Sequence, residues 1–168
     1  MGTNTKNAAR VMDAARHLVR ALAGSARATH ARTGISGAQL FILRQLADAN
    51  EALSVNELAE KTLTHQSTVS GVVTRLVERR LVTRTPAMDD ARRVSIALTA
   101  RGRALVGAAP PTVQTQLVSG LARLTASQRS ALADTLEAWL EAAGLGGEPA
   151  PLFFESDTDD GVNTVRAR

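Results

Sequence analysis

Residues 54–98 constrain this chain most tightly, because they read helix, short turn, helix, strand, loop, strand with little slack between the elements. "SVNELAEKT" begins with Ser54 and places Glu57 three residues on. In that capping-box pattern the hydroxyl accepts from a free backbone N–H and the longer side chain reaches back to the cap's own N–H, so a helix start is fixed locally. A short helix over 55–62 follows. After the turn "LTH", the segment "QSTVSGVVTRLVERR" predicts a second helix over 66–80. Strands are predicted over 81–85 and 94–98, on either side of "PAMDDARR".

That order is the order of a winged helix-turn-helix, in which the second helix enters the major groove of DNA. The residues of that helix support this use. Turning about 100° per residue, Val69, Val72, Val73, Leu76 and Val77 form one apolar stripe. The opposite face holds Ser67, Ser70, Gly71, Thr74 and Arg75, with Thr68 on its border. A merely solvated face would favour Glu, Lys and Gln, which are better helix formers. Small hydroxyl residues instead allow close approach, and they bond phosphates or base edges, while Arg pairs bidentately with guanine. His65 and Gln66 stand at the helix N-terminus, where the dipole favours phosphate.

The hairpin tip packs Asp89, Asp90, Arg92 and Arg93 into five positions. The strand ending at Pro86 spans about 20 Å at roughly 3.3 Å per residue, enough to carry the tip toward a neighbouring groove. Pro86 is expected to end the pairing. Arg92 is then placed to enter a minor groove, whose negative potential attracts guanidinium. Asp90 is placed to hold it by a fork-like pair, and Arg84 and Arg93 to meet phosphates.

The rest of the chain is helical. Val11, Ala15, Leu18 and Leu22 recur at helical spacing and predict a helix over 7–30, ended by Gly34. Capping boxes at Ser36 with Gln39 and at Thr125 with Gln128 predict helices over 37–49 and 126–143. Leu40, Leu43, Leu46 and Ala47 face inward on the first of these. A long helix should start at Thr99, interrupted or kinked at Pro110 and Pro111. Beyond Gly144 periodicity fails, and a flexible tail is expected, with Phe153 and Phe154 either folded back or forming a docking peptide. The expected fold is mainly α with a small β wing. Its regions are an N-terminal dimerisation helix (1–35), a winged helix-turn-helix (36–100), C-terminal dimerisation helices (101–144) and a tail (145–168).

Charge divides along the same lines. Segments 1–53, 54–103 and 104–168 carry net charges of +4, +4 and −4, which directs the first two thirds toward a polyanion. The 168 residues include no Cys, which excludes disulfides and thiolate metal sites. His17, His30 and His65 lack metal-ligand spacing, and neither a phosphate-binding glycine loop nor a nucleophile elbow is present. An enzyme is therefore not expected, nor any cofactor or metal. Residues 1–25 lack the apolar core of a signal peptide, and no run is long enough to span a membrane. A cytoplasmic protein is expected.

"TVSGVVTRLVERRLVTR", followed by Asp90-Ala91-Arg92 and "ALTARG" at 97–102, resembles the multiple-antibiotic-resistance regulators, the MarR family. The resemblance extends over about residues 10–143. It implies a homodimer with interlocking terminal helices, bound to a pseudo-palindromic operator in double-stranded DNA and most simply acting as a repressor. It also implies recognition-helix contacts from Ser67, Thr68, Ser70 and Arg75, a wing arginine at Arg92 supported by Asp90, and control by a small anionic or aromatic effector held between the dimer helices and the DNA-binding lobe. Phe41, Arg16 and Arg44 are candidates for lining that pocket, with core packing or plain surface the favoured reading of each. Two positions depart from the family pattern. Gly71 stands where a larger, frequently basic residue is usual, and Arg80 replaces the glycine common after the recognition helix. The terminal helices carry more Leu, Val and Ala than a monomer can bury, with Trp139 as an interface anchor. The rival reading is a helical dimer that works only through proteins, by way of its C-terminal tail.

Overall fold

The computed structural model describes residues 3–86, 94–147 and 152. Among these residues, seven helices and one two-stranded antiparallel sheet follow in the order α1 (Thr3–Thr33), α2 (Gly37–Ala49), α3 (Val55–Thr62), α4 (Gln66–Glu78), β1 (Val82–Pro86), β2 (Val94–Leu98), α5 (Ala100–Ala108), α6 (Val113–Ala122) and α7 (Ala126–Ala142).

The central element is α2. Gly37 through Leu43 are all buried, and the helix contacts α1, α3, α4, α5, α6 and β2. Around it, Leu58 from α3, Val69, Val72, Val73 and Leu76 from α4, and Ile96 from β2 are each fully buried. Among the described residues, Phe41 is the one aromatic ring in this core, which otherwise consists of aliphatic side chains. Leu152 joins the same cluster, so at least this residue of the expected tail segment packs on the body.

The three sequence-read capping boxes all form. Ser36, Ser54 and Thr125 each accept from the backbone N–H three residues on, and Gln39, Glu57 and Gln128 each return a bond to the cap. Gly34 stops α1 in the left-handed region at φ +69°, donating its N–H to the His30 carbonyl. The helix is longer at both ends than the apolar periodicity indicates.

The break near the prolines is complete. The α5 helix ends at Ala108 and α6 begins after the N-cap Thr112. Pro110 and Pro111 bring no N–H to continue the ladder, so the last carbonyls of α5 need outside donors. Arg44 of α2 supplies one guanidinium nitrogen to both Ala109 O (2.7 Å) and Pro110 O (2.8 Å), and Arg32 of α1 reaches Ala108 O at 3.3 Å.

The sheet runs in register from Val82 opposite Leu98 to Pro86 opposite Val94. Pro86 therefore lies inside the ladder, not beyond it as expected. A two-stranded sheet leaves half its N–H groups unpaired, which tolerates proline at a strand end. Leu53, between α2 and α3, exchanges backbone bonds with Ile96 in both directions (2.9 and 2.8 Å), adding a one-residue third strand beside β2.

The α4 helix stops earlier than expected, with Arg79 as its cap and Arg80 in the left-handed region at φ +58°. Arg80 N–H bonds Val77 O and Leu81 N–H bonds Leu76 O, which together form a Schellman motif. The α7 terminus closes in the same way, with Gly144 at φ +70° and Leu145 N–H on Leu140 O. The turn at Arg80 thus keeps the geometry that glycine normally provides, with a side chain attached.

Candidate nucleic-acid interface

Helix α4 is positioned by its apolar stripe. Val69, Val72, Val73 and Leu76 are fully buried, and Val77 is half-buried against the same core. On the other side, Gln66, Ser67 and Thr74 are exposed, while Thr68, Ser70, Gly71 and Arg75 are half-buried. The N-cap residue His65 makes no side-chain capping bond, so the cap side chain leaves the first N–H groups of α4 uncovered. Elsewhere Ser36, Ser54, Thr99, Thr112 and Thr125 fill that role with hydroxyls.

The wing strand joins this face. Arg84 of β1 is exposed, and its Nη2 lies 3.4 Å from Ser70 Oγ, so two residues fourteen positions apart share one surface. Thr74 Oγ1 donates to the Ser70 carbonyl at 2.9 Å. Neither contact follows from the helical wheel, which places residues on a face without saying which hydrogen bonds they already make. Asp90, Arg92 and Arg93, the sequence candidates at the hairpin tip, lie outside the described residues.

The wing is locked to α5 by Thr99. Its N–H bonds Leu81 O at 3.1 Å, and its hydroxyl donates toward the Arg80 and Leu81 carbonyls while accepting from Gly102 N–H at 3.0 Å. Gly102 is required here, since a Cβ at that position would collide with the Leu81 carbonyl oxygen.

The three residues proposed to line an effector pocket are not brought together. Phe41 is in the core, Arg44 is bound to the carbonyls of the α5–α6 break, and Arg16 is exposed 3.9 Å from Asp13. A cavity of about 300 Å³ opens elsewhere, between the ends of α1 and α4 and the start of α5. Ile35 and Leu81 are among its apolar walls, and Arg79, Arg80 and Arg101 among its charged ones. Arg79 is tethered to Gly34 O at 2.8 Å. Among the described residues no group of three His, Asp or Glu side chains could hold a metal ion, and no helix is long and apolar enough to cross a membrane. His17 is exposed, 3.7 Å from Asp13.

With α3 and α4 as the helical pair and β1–β2 as the wing, this architecture defines a winged helix-turn-helix protein. Residues 33–93 match the model of the MarR family. That match spans the helical pair and the first wing strand, and it makes the chain similar to that family of winged-helix regulators. Comparison with curated proteins gives no match. Among solved structures, a MepR-like protein complexed with pseudoligands is 26% identical, with a TM-score of 0.54 over 83% of this chain and 96% of the other. The transcriptional regulator BldR from Sulfolobus solfataricus shares the fold at 19% identity and a TM-score of 0.55, covering 84% and 99%. A MarR family transcription regulator shares it at 21% identity and 0.54, covering 84% and 93%.

Proposed function

We propose that this protein is a homodimeric, ligand-responsive repressor that binds a pseudo-palindromic operator in double-stranded DNA. The observation that carries this reading is the composite face formed by α4 and β1. Short polar side chains lie on the outer side of a helix whose inner side is fully sealed, and Arg84 is held beside Ser70 at the edge of that helix. On this reading Gln66, Ser67, Thr68, Ser70, Thr74 and Arg75 enter the major groove. Arg84 and Arg93 meet phosphates, and Arg92, oriented by Asp90, enters the adjacent minor groove. No residue is assigned a catalytic role.

A second copy of the chain is supported by unpartnered apolar surface on the terminal helices. Val19 is 65% exposed on α1, and Leu136 and Trp139 are 43% and 39% exposed on α7, a helix with no buried residue. Burying large side chains of this kind is the main driving force for obligate dimers. Two copies would set their recognition helices about one DNA turn, ~34 Å, apart. The cavity is lined by Arg79, Arg80 and Arg101 against the carboxylate of Glu78, a balance that supports an anionic effector, and its volume is at the lower end of the range for small-molecule sites. A regulator sitting on a promoter most simply blocks polymerase, in the cytoplasm. Selection of bound fragments from genomic DNA, followed by gel-shift titration, tests the reading. Recovery of a two-fold symmetric site is expected, and failure to enrich any sequence over bulk DNA would overturn it.

A further inference from the structure

The Thr74 hydroxyl is already committed. Its Oγ1 donates to the Ser70 carbonyl one turn back at 2.9 Å, and a hydroxyl carries only one proton. Thr74 therefore keeps only oxygen lone pairs and its γ-methyl for a surface that meets α4. The residue is exposed, on the helix side away from the buried valines. With the oxygen turned toward the Ser70 carbonyl, the branched side chain is held in one staggered position, so the methyl is presented at little further entropic cost. Ser70 differs, because its Oγ accepts from Arg84 at 3.4 Å and retains its own proton.

We propose that Thr74 reads DNA through its methyl group, by packing against the C5 methyl of a thymine in the major groove. Hydrogen-bonded readout on this turn of the helix then belongs to Ser70. Thymine is the one base that presents a methyl in that groove. This specificity rests on the DNA-binding reading above and adds to it the chemical group that one residue recognises.

The test uses the full chain and a duplex recovered by selection from random-sequence DNA, in which each thymine is replaced in turn by uracil. That replacement removes the methyl and leaves every hydrogen-bonding group in place. Affinities are compared for the native protein, Thr74→Val, which keeps methyls and loses the hydroxyl, and Thr74→Ser, which does the reverse. At one or more thymines, uracil should weaken the native protein about fourfold, equivalent to roughly 0.8 kcal/mol for one buried methyl-sized group. Thr74→Val should keep both the affinity and the uracil penalty. Thr74→Ser should start about fourfold weaker and lose nothing further on uracil. If Thr74→Val loses affinity while Thr74→Ser keeps it, the oxygen makes the contact and the inference is overturned. It is also overturned if the uracil penalties of Thr74→Ser equal those of the native protein. A selection that recovers no duplex overturns the DNA-binding reading itself, whereas tight binding with the wrong pattern sinks only the role of Thr74.

Discussion

The Leu81 carbonyl oxygen occupies the space into which a side chain on Gly102 would project. One atom of the α4–β1 junction thus dictates a residue on α5, and Thr99 binds the same carbonyl from the other side. Because backbone lies on both sides of the contact, no flexible side chain can yield. Gly102→Ala should cost about 1–3 kcal/mol, as overpacking does in close-packed interiors. Urea denaturation measures it, and unchanged stability would show that the wing and α5 are not locked together.

Arg80 and Gly144 hold equivalent places in two Schellman motifs, and only the second has the residue that suits a left-handed backbone. Arg80→Gly should therefore stabilise the fold by about 1 kcal/mol, the order of the cost of a side chain in that region. A lowered denaturation midpoint would mean that the Arg80 side chain contributes more through its surroundings than its backbone strain removes.

Arg84→Ala removes an exposed guanidinium from the composite face while leaving the backbone register of β1 with β2 intact. Operator affinity should fall at similar stability, and the slope of log affinity against log salt should shrink by about one, as expected for one lost phosphate contact. An unchanged slope with altered sequence preference would instead make Arg84 a base reader. For the native protein, contact with ~6–10 phosphates would reduce affinity by about 10³ to 10⁵ between roughly 50 and 200 mM salt.

Leu136→Asp places a charge among the exposed apolar residues of α7, where the monomer itself buries nothing. Sedimentation should show a shift from dimer to monomer with the helical content retained. A dimer that survives the change would move the subunit contact away from this helix.

Much of this architecture was legible because its signals are local. The boundaries of α2 and α3 follow from Ser36 and Ser54, whose capping boxes act within one helical turn. The two sides of α4 follow from helical geometry, and Gln66, Ser67 and Thr74 are exposed as that geometry implies. What escaped the sequence is nonlocal. Leu53 pairs with a strand more than forty residues later. Arg44, a pocket candidate by type, is instead occupied by carbonyls freed at Pro110. The resemblance marked Arg80 as a glycine position, but local propensity favours extending the helix through two arginines, whereas the packing of Leu81 (2% exposed) requires the chain to reverse there. Within the candidate interface, proximity of Arg84 to Ser70 depends on how the strand leaves α4, which no one-dimensional spacing encodes.

The single-residue pairing of Leu53 with Ile96 also bears on solubility. A hairpin that projects from a protein body has two open margins, each able to template pairing with another chain. By pairing with Ile96, Leu53 covers part of the β2 margin, and along β1 exposed Arg84 and the terminal Pro86 oppose strand addition through charge and a missing donor. The paired strands are thus guarded against sticking to their own kind.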